Sequence, residues 1–376
     1  MAFPDDVPVL SDGTVSLRAH HRGDLDGIVE QCTDPLSIEW TTVPVPYTLA
    51  HAAEWVDQRI PKAWSDGSDL CFAIETEGRF AGSTSLRPEG DGVAEIAYGL
   101  AAWARGRGVM TRAGKLLLDW GFEQRGCAVV IWRANVGNWA SRRVAWSLGF
   151  SFDGTVRELL LQRGRRYDGW VGSLRRDDPR EPTSRWLTTP VLETERLRLR
   201  PWQEGDVDRI VEACSDPVAR RWQPNLPAPY TESSAQAFML RTAEQAAAGS
   251  GIGCCISDTE TNQVLGSASV FDIGRRDPSG AEIGYWSHPD ARGAGVVTAA
   301  VGRLAEHCFG DPAAGGLGLR RLFLTTAAGN AASCRVAARV GFSRVGTERR
   351  AYRLADGYDD TAVYDLLGTD LSHPSR

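Results

Sequence analysis

The chain has 376 residues, enough for two or three domains at a rough prior of about 150 residues each. Hydrophobic residues at 42% and charged residues at 24% sit at globular values, which excludes a disordered or fibrous chain. Set against 48 acidic residues, 42 basic ones leave a net charge of −6, which argues against coating nucleic acid or an anionic membrane.

In chain order, Met1 to Asp6 carry neither a basic nor an apolar targeting stretch, so a cytoplasmic location is expected. Val15-Ser16-Leu17 alternates apolar and polar residues as a half-buried strand does, and a helix follows. Cys71 to Ile74 reads as a strand ended by the Glu77-Gly78 turn, and Val93 to Leu100 as another. Beyond a glycine-rich turn, Ala113, Leu116, Leu117 and Trp120 fall on one helical face. Ala128 to Trp132 is a strand, with a helix opening near Ser141. Pro179, Pro182 and Pro190 then stand among charged and hydroxyl residues, the composition of a linker.

After the linker the pattern repeats. Leu197-Arg198-Leu199 and Gly253 to Ile256 read as strands, the latter closed by Thr261-Asn262, and Ala281 to Trp286 as another. Val301, Leu304, Ala305 and Cys308 mark the helix, Leu322 to Thr325 the strand, and Ser333 the last helix start. Individual residues match as well: Gly23-Asp24-Leu25-Asp26 with Gly205-Asp206-Val207-Asp208, and Gly149-Phe150 with Gly341-Phe342. A period this long is a whole domain copied once, not a solenoid repeat. The expected organisation is a first domain over 1–175, a linker over 176–194 and a second domain over 195–376. Each domain is expected to be α+β, with a mixed, mostly antiparallel sheet flanked by helices.

Three features of each copy can carry chemistry. On the strand of Glu95, strand alternation puts Ile96, Tyr98 and Leu100 on the core face and leaves Glu95 beside only Ala97 and Gly99. Glu282 with Gly284 repeats this, so both carboxylates have room before them and suit a general base. Arg105-Gly106-Arg107-Gly108-Val109-Met110-Thr111 and Arg292-Gly293-Ala294-Gly295-Val296-Val297-Thr298 lie between a strand and a helix start. Glycines there admit a ligand to the backbone, and helix N–H groups attract phosphate. Neither turn has the spacing of a Walker or dinucleotide loop. Asn138-x-x-Ser141 and Asn330-x-x-Ser333 open helices, where such residues cap the backbone or hydrogen-bond an extended ligand. The eight cysteines lack C-x-x-C spacing and the six histidines lack metal-ligand spacing, so free thiols and no metal are expected.

With "AEIAYGLAAWARGRGVMTRAGKLLLDWGF" and "NVGNWASRRVAWSLGF" in one copy, and "AEIGYWSHPDARGAGVVTAAVGRL" and "GNAASCRVAARVGF" in the other, the chain resembles the GNAT superfamily of N-acyltransferases. It is most similar to the branch containing the ribosomal-protein N-terminal acetyltransferases. The resemblance implies a sheet that splays open between two parallel strands, with acetyl-CoA or another acyl-CoA entering the split. It puts the pyrophosphate loop on Arg105 to Met110 and Arg292 to Val297, and the general base on Glu95 and Glu282. Asn138 and Asn330 match positions that contact the pantetheine arm or an ordered water. Ser141 and Ser333 match a serine that protonates the departing thiolate, and Ala145 and Ala337 stand where many members carry a tyrosine acid.

The implied activity is direct transfer of an acetyl or related acyl group to a primary amine of a peptide N-terminus or small molecule. The alternatives are that one or both copies only bind acyl-CoA or serve as a scaffold, or that the donor is a carrier-protein thioester. The expected partner is the amine acceptor, in a monomer or homodimer that engages neither nucleic acid nor membrane. Acceptor contacts fall on the loops Trp40 to Tyr47 and Trp222 to Tyr230, whose aromatic residues and prolines predict a shaped apolar wall.

Overall fold

A computed structural model describes residues 7–371, which form two compact units divided between Thr183 and Ser184. The first unit begins with β1 (Leu10–Ser11) and β2 (Val15–Arg18), then helices α1 (Leu25–Thr33), α2 (Pro35–Trp40), α3 (Leu49–Glu54) and α4 (Ile60–Asp66). Strands β3 (Leu70–Thr76), β4 (Arg79–Gly90) and β5 (Val93–Leu100) lead to α5 (Val109–Gln124). The unit closes with β6 (Val129–Asn135), α6 (Trp139–Ser147), β7 (Ser151–Gln162) and β8 (Arg165–Arg175). Its eight strands form one sheet in the order β1-β2-β3-β4-β5-β6-β8-β7.

The second unit repeats the plan. It runs β9 (Leu192–Glu193), β10 (Leu197–Arg200), α7 (Val207–Ser215), α8 (Pro217–Trp222), α9 (Glu232–Ala247), β11 (Ile252–Asp258), β12 (Val264–Phe271) and β13 (Gly280–Ser287). After these come α10 (Val296–Phe309), β14 (Arg321–Ala327), α11 (Ala331–Val340), β15 (Ser343–Leu354), β16 (Gly357–Leu367) and α12 (Gly368–Leu371). Its sheet runs β9-β10-β11-β12-β13-β14-β16-β15. Leu192–Glu193, within the stretch read as linker, pairs with Arg198 and Leu199 as the edge of this sheet.

The helix preceding the third strand differs between the copies for a local reason. Where the second copy has the continuous α9, the first is interrupted by a π-turn at Trp55–Arg59 between α3 and α4. Pro61 lies in the first turn of α4, and a proline has no N–H for the i→i−4 ladder, so the helix widens before it.

Each sheet packs a helix across one face. Ala113, Leu117, Leu118 and Trp120 of α5 are buried, whereas Leu116 is only half-buried, so the apolar stripe is turned slightly from the one expected. Trp120 meets Phe72 edge-on with ring centroids 5.2 Å apart. Gly114 lets α5 approach α6, since a Cβ there would come within 2.6 Å of Leu148 Cδ1. In the second copy Val301, Leu304, Ala305 and Cys308 of α10 are buried against Ile252, Ile256, Ile283 and Leu322. Among the described residues no helix is long and apolar enough to cross a membrane.

The feature that creates a site is the one parallel pairing in each sheet. Strands β5 and β6 pair from Val93↔Val129 to Ile96↔Trp132 and then part. Past that point Ala97–Leu100 pair only with β4, and Arg133–Asn135 only with β8. In the second copy β13 and β14 pair from Gly280↔Arg321 to Glu282↔Phe323 before they part. Backbone N–H and C=O groups along the two lips of each split therefore lack ladder partners across it, and an extended ligand can satisfy them.

Candidate active site at the parted strands

Glu95 and Glu282 stand at the apex of their splits, Glu95 one pair before the last and Glu282 at the last pair. Their surroundings differ. Thr325 donates its hydroxyl to Glu282 Oε1 at 2.7 Å. Arg133 holds the corresponding place in the first copy, with Nη1 3.5 Å from Glu95 Oε2 and both terminal nitrogens on Glu89, at 2.5 and 3.1 Å. A cavity of about 240 Å³ opens at Glu282, bordered by Ala281, Phe323, Asp272, Arg275 and Arg276. The two copies of the candidate base are thus one hydroxyl-bonded carboxylate beside a cavity and one ion-paired carboxylate.

The glycine turns leave backbone open at a helix start, the geometry an anion cradle needs. Gly106, Gly108, Gly293 and Gly295 have φ of 72°, 75°, 77° and 76°, left-handed values that a side chain opposes. A Cβ at any of the four would meet nothing within 4 Å, so the backbone is open to an approaching group. Helices α5 and α10 start directly after Gly108 and Gly295 without a side-chain cap, which leaves the first-turn N–H groups at Val109 to Thr111 and Val296 to Thr298 for a ligand. These cradles fit a pyrophosphate. Met110 is buried in the first copy and Val297 is half-buried against the core of the second, so neither stands free in its turn.

The arginine side chains of the turns are engaged elsewhere. Arg105 Nη2 lies 2.6 Å from Asp34 Oδ1 and 3.0 Å from the Leu100 carbonyl. Burial works against the Asp34 charge, but hydrogen bonds from Arg105 and the Ser37 N–H outweigh it and hold that carboxyl below its ordinary range. Arg292 pairs with Asp216 in the same way. Arg107 is paired with Glu77. Beside that pair a cavity of about 330 Å³ is lined by Thr14, Val109 and Arg112 among others.

Asn138 and Asn330 cap α6 and α11: their Oδ1 atoms accept from the N–H groups of Ser141 and Ser333 at 3.1 and 3.2 Å. The serine hydroxyls meet a tyrosine that the sequence reading assigned to the core. Tyr98 donates to the Ser141 carbonyl at 3.0 Å and accepts from Ser141 Oγ at 3.1 Å, while the Trp132 indole N–H donates to the same Oγ at 3.0 Å. Tyr285 bonds Ser333 Oγ at 3.0 Å and its carbonyl at 3.2 Å. Burial pushes the Tyr98 hydroxyl well up and that of Tyr285 up to about 12, so both stay protonated. The signal was present in the sequence as a tyrosine three residues after each candidate glutamate. Three residues is an odd step along a strand, so tyrosine and glutamate lie on opposite faces with the split between them.

The expected aromatic walls are partly structural. Tyr47 and Tyr230 close small apolar clusters around Cys32 and Cys214. In the second copy the Tyr352 hydroxyl donates to the Trp222 carbonyl at 2.9 Å, tying the end of α8 to β15. In the first copy Gln162 Nε2 ties the end of α2 down, with the Glu39 and Thr41 carbonyls each at 2.7 Å.

Parted parallel strands, a left-handed glycine turn at a helix start and a carboxylate at the apex define an acyltransferase-type domain. Residues 14–151 and 196–343 each match the model of the acetyltransferase (GNAT) domain, and the chain belongs to that family, carrying its domain twice. Over 87 residues it is 34% identical to YdaF of Bacillus subtilis (strain 168), whose name places it among the ribosomal N-acetyltransferases. That alignment spans 23% of this chain and 45% of the relative, less than half its length. RimJ of Mycobacterium smegmatis, solved with a CoA-disulfide, is 20% identical, covers 48% of this chain and 84% of its own, and superposes with a TM-score of 0.42. A GNAT-family acetyltransferase from Bacillus anthracis gives 19%, 47%, 98% and 0.41 for the same quantities.

Proposed function

We propose that the chain is an acyl-CoA-dependent N-acetyltransferase acting on a primary amine of a peptide terminus or small molecule, and that the second copy carries the transfer. The observation that carries this reading is the exchange of Arg133 for Thr325 at the apex of the split. An amine approaching Glu95 has to displace a guanidinium, whereas one approaching Glu282 enters a cavity.

Acetyl-CoA, when bound, supplies the activated acyl carbon. The backbone N–H groups after Gly295 would hold its pyrophosphate, and the unpaired lips of β13 and β14 would take the hydrogen bonds of its extended arm. Glu282, oriented by Thr325, accepts the proton that the amine gives up as the N–C bond forms. The Tyr285–Ser333 hydroxyl pair on the opposite face would return a proton to the thiolate released with the C–S electron pair. The remainder of the acceleration comes from holding amine and thioester in one geometry. The first copy keeps the cradle, and its cavity beside Arg107 supports a second reading for that copy alone, a module that binds acyl-CoA without transferring.

The test is native mass spectrometry of the chain titrated with acetyl-CoA, alongside release of CoA thiol in the presence of primary amines. Binding with acetylated amine as product is expected. A chain that binds no acyl-CoA and acetylates no amine overturns the reading.

A further inference from the structure

The connection that precedes Glu282 gives its cavity a charge pattern. From Asp272 to Ser279 the chain makes a turn closed by Gly274 N–H donating to the Gly280 carbonyl at 2.9 Å. Asp277 pins it, accepting from Ser279 N–H at 2.9 Å and from Arg320 Nη2 at 2.5 Å. Gly280 packs closely where this turn meets the sheet: a Cβ there would stand 3.0 Å from Phe323 Cε2. The turn holds Arg276 over the Phe323 ring, 4.7 Å from its centroid, a stacking that orients a guanidinium and leaves its N–H edge open. Arg275 is neutralised by Asp272 at 3.1 Å, and Arg321, over the same ring, by Asp365 at 2.6 Å. Among the described residues Arg276 has no carboxylate partner. Beside the Asp272–Arg275 pair, the same cavity of about 240 Å³ is therefore bordered by one carboxylate outside any ion pair among the described residues, Glu282, and one cation without a carboxylate partner, Arg276. In the first copy Glu89, near the end of β4, pairs with Arg133.

We infer that the acceptor of the second copy is an anionic amine, whose amino group stands at Glu282 while a carboxylate within one residue of it is held by the Arg276 guanidinium. A cation that is oriented but unmatched is an incomplete ion pair, and a carboxylate completes it with charge-assisted hydrogen bonds. The carboxylate belongs either to a free amino acid or to an acidic side chain beside a peptide terminus. The inference rests on the proposed transfer at Glu282.

The experiment compares acceptors of equal shape and different charge with the full chain and acetyl-CoA: serine against serinamide, and the amide of seryl-aspartate against the amide of seryl-asparagine. Charge-assisted recognition gives an expected preference of about tenfold or more in kcat/KM for the anionic member of one pair, carried mostly by KM. Preference in the first pair assigns a free amino acid, and in the second an acidic peptide. In Arg276→Gln that preference falls to within about twofold, and Arg276→Lys restores part of it. Acetyl-CoA binding by each variant shows that it has folded. Equal kcat/KM within both pairs, or a preference that survives Arg276→Gln, overturns the inference while transfer itself stands. Failure to acetylate any amine instead removes the proposed transfer and this inference with it.

Discussion

Replacing Glu282 by glutamine keeps the shape of the side chain and its bond to Thr325 but removes the site that takes the amine's proton. A positioned general base contributes about 10²–10⁴-fold to rate, which at ~1.36 kcal/mol per decade is about 2.7–5.4 kcal/mol of barrier. Glu282→Gln is expected to lower kcat and kcat/KM together by that factor and to leave acetyl-CoA binding intact, because the cradle lies at the start of α10. Glu95→Gln is expected to keep at least half of wild-type turnover. Its carboxylate is the minor partner of Arg133, 3.5 Å away, with side chains 22% and 24% exposed, so losing that pair costs only about 0.2–1 kcal/mol of stability. The assay is steady-state release of CoA thiol at saturating acetyl-CoA, with native mass spectrometry as the binding control. A large loss in Glu95→Gln with wild-type turnover in Glu282→Gln refutes the assignment of chemistry to the second copy.

Gly295→Val places a β-branched residue at φ 76°, costing about 1–2 kcal/mol, and puts methyl groups into the open face of the cradle. The expected result is at least about tenfold weaker acetyl-CoA binding at the second copy; Gly108→Val does the same to the first, each counted by native mass spectrometry. His20 is 2% exposed, and burial lowers its pKa to about 3 from 6.5. Its contribution is therefore complete above pH 6.5 and is lost progressively as pH falls from 6.5 towards 3, because the unfolded chain takes up the proton first. Between pH 6.5 and 5 the first unit is expected to lose about 1.5–2 kcal/mol, read as faster hydrogen exchange in β2 and β3, and His20→Gln is expected to flatten that slope. Arg200 and Asp206 form a two-pronged ion pair with side chains 5% and 7% exposed. Asp206→Ala strands a buried guanidinium at a cost of about 3–5 kcal/mol in urea unfolding, and Arg200→Met with Asp206→Leu recovers most of it.

The sequence by itself determined the duplication, the α+β order of each copy, the alternation that separates Glu95 from Ile96, and the glycine turns. All of these are local, because strand and helix periods and the left-handed tolerance of glycine are properties of neighbouring residues. Helix capping by Asn138 and Asn330 was likewise legible from spacing. Tertiary structure alone decided where the parallel strands part, since register is set by the packing of whole strands on α5 and α10 rather than by any one of them. It brought Tyr98 to Ser141 across 43 residues and turned the Arg105 side chain to Asp34 across 71. It also set Arg133 against Glu95 and Thr325 against Glu282, on strands that touch only through the sheet. Nothing in the order of the two copies distinguishes one glutamate from the other. The distinction lies in which side chain the neighbouring strand presents at the same height, a contact that chain connectivity does not encode.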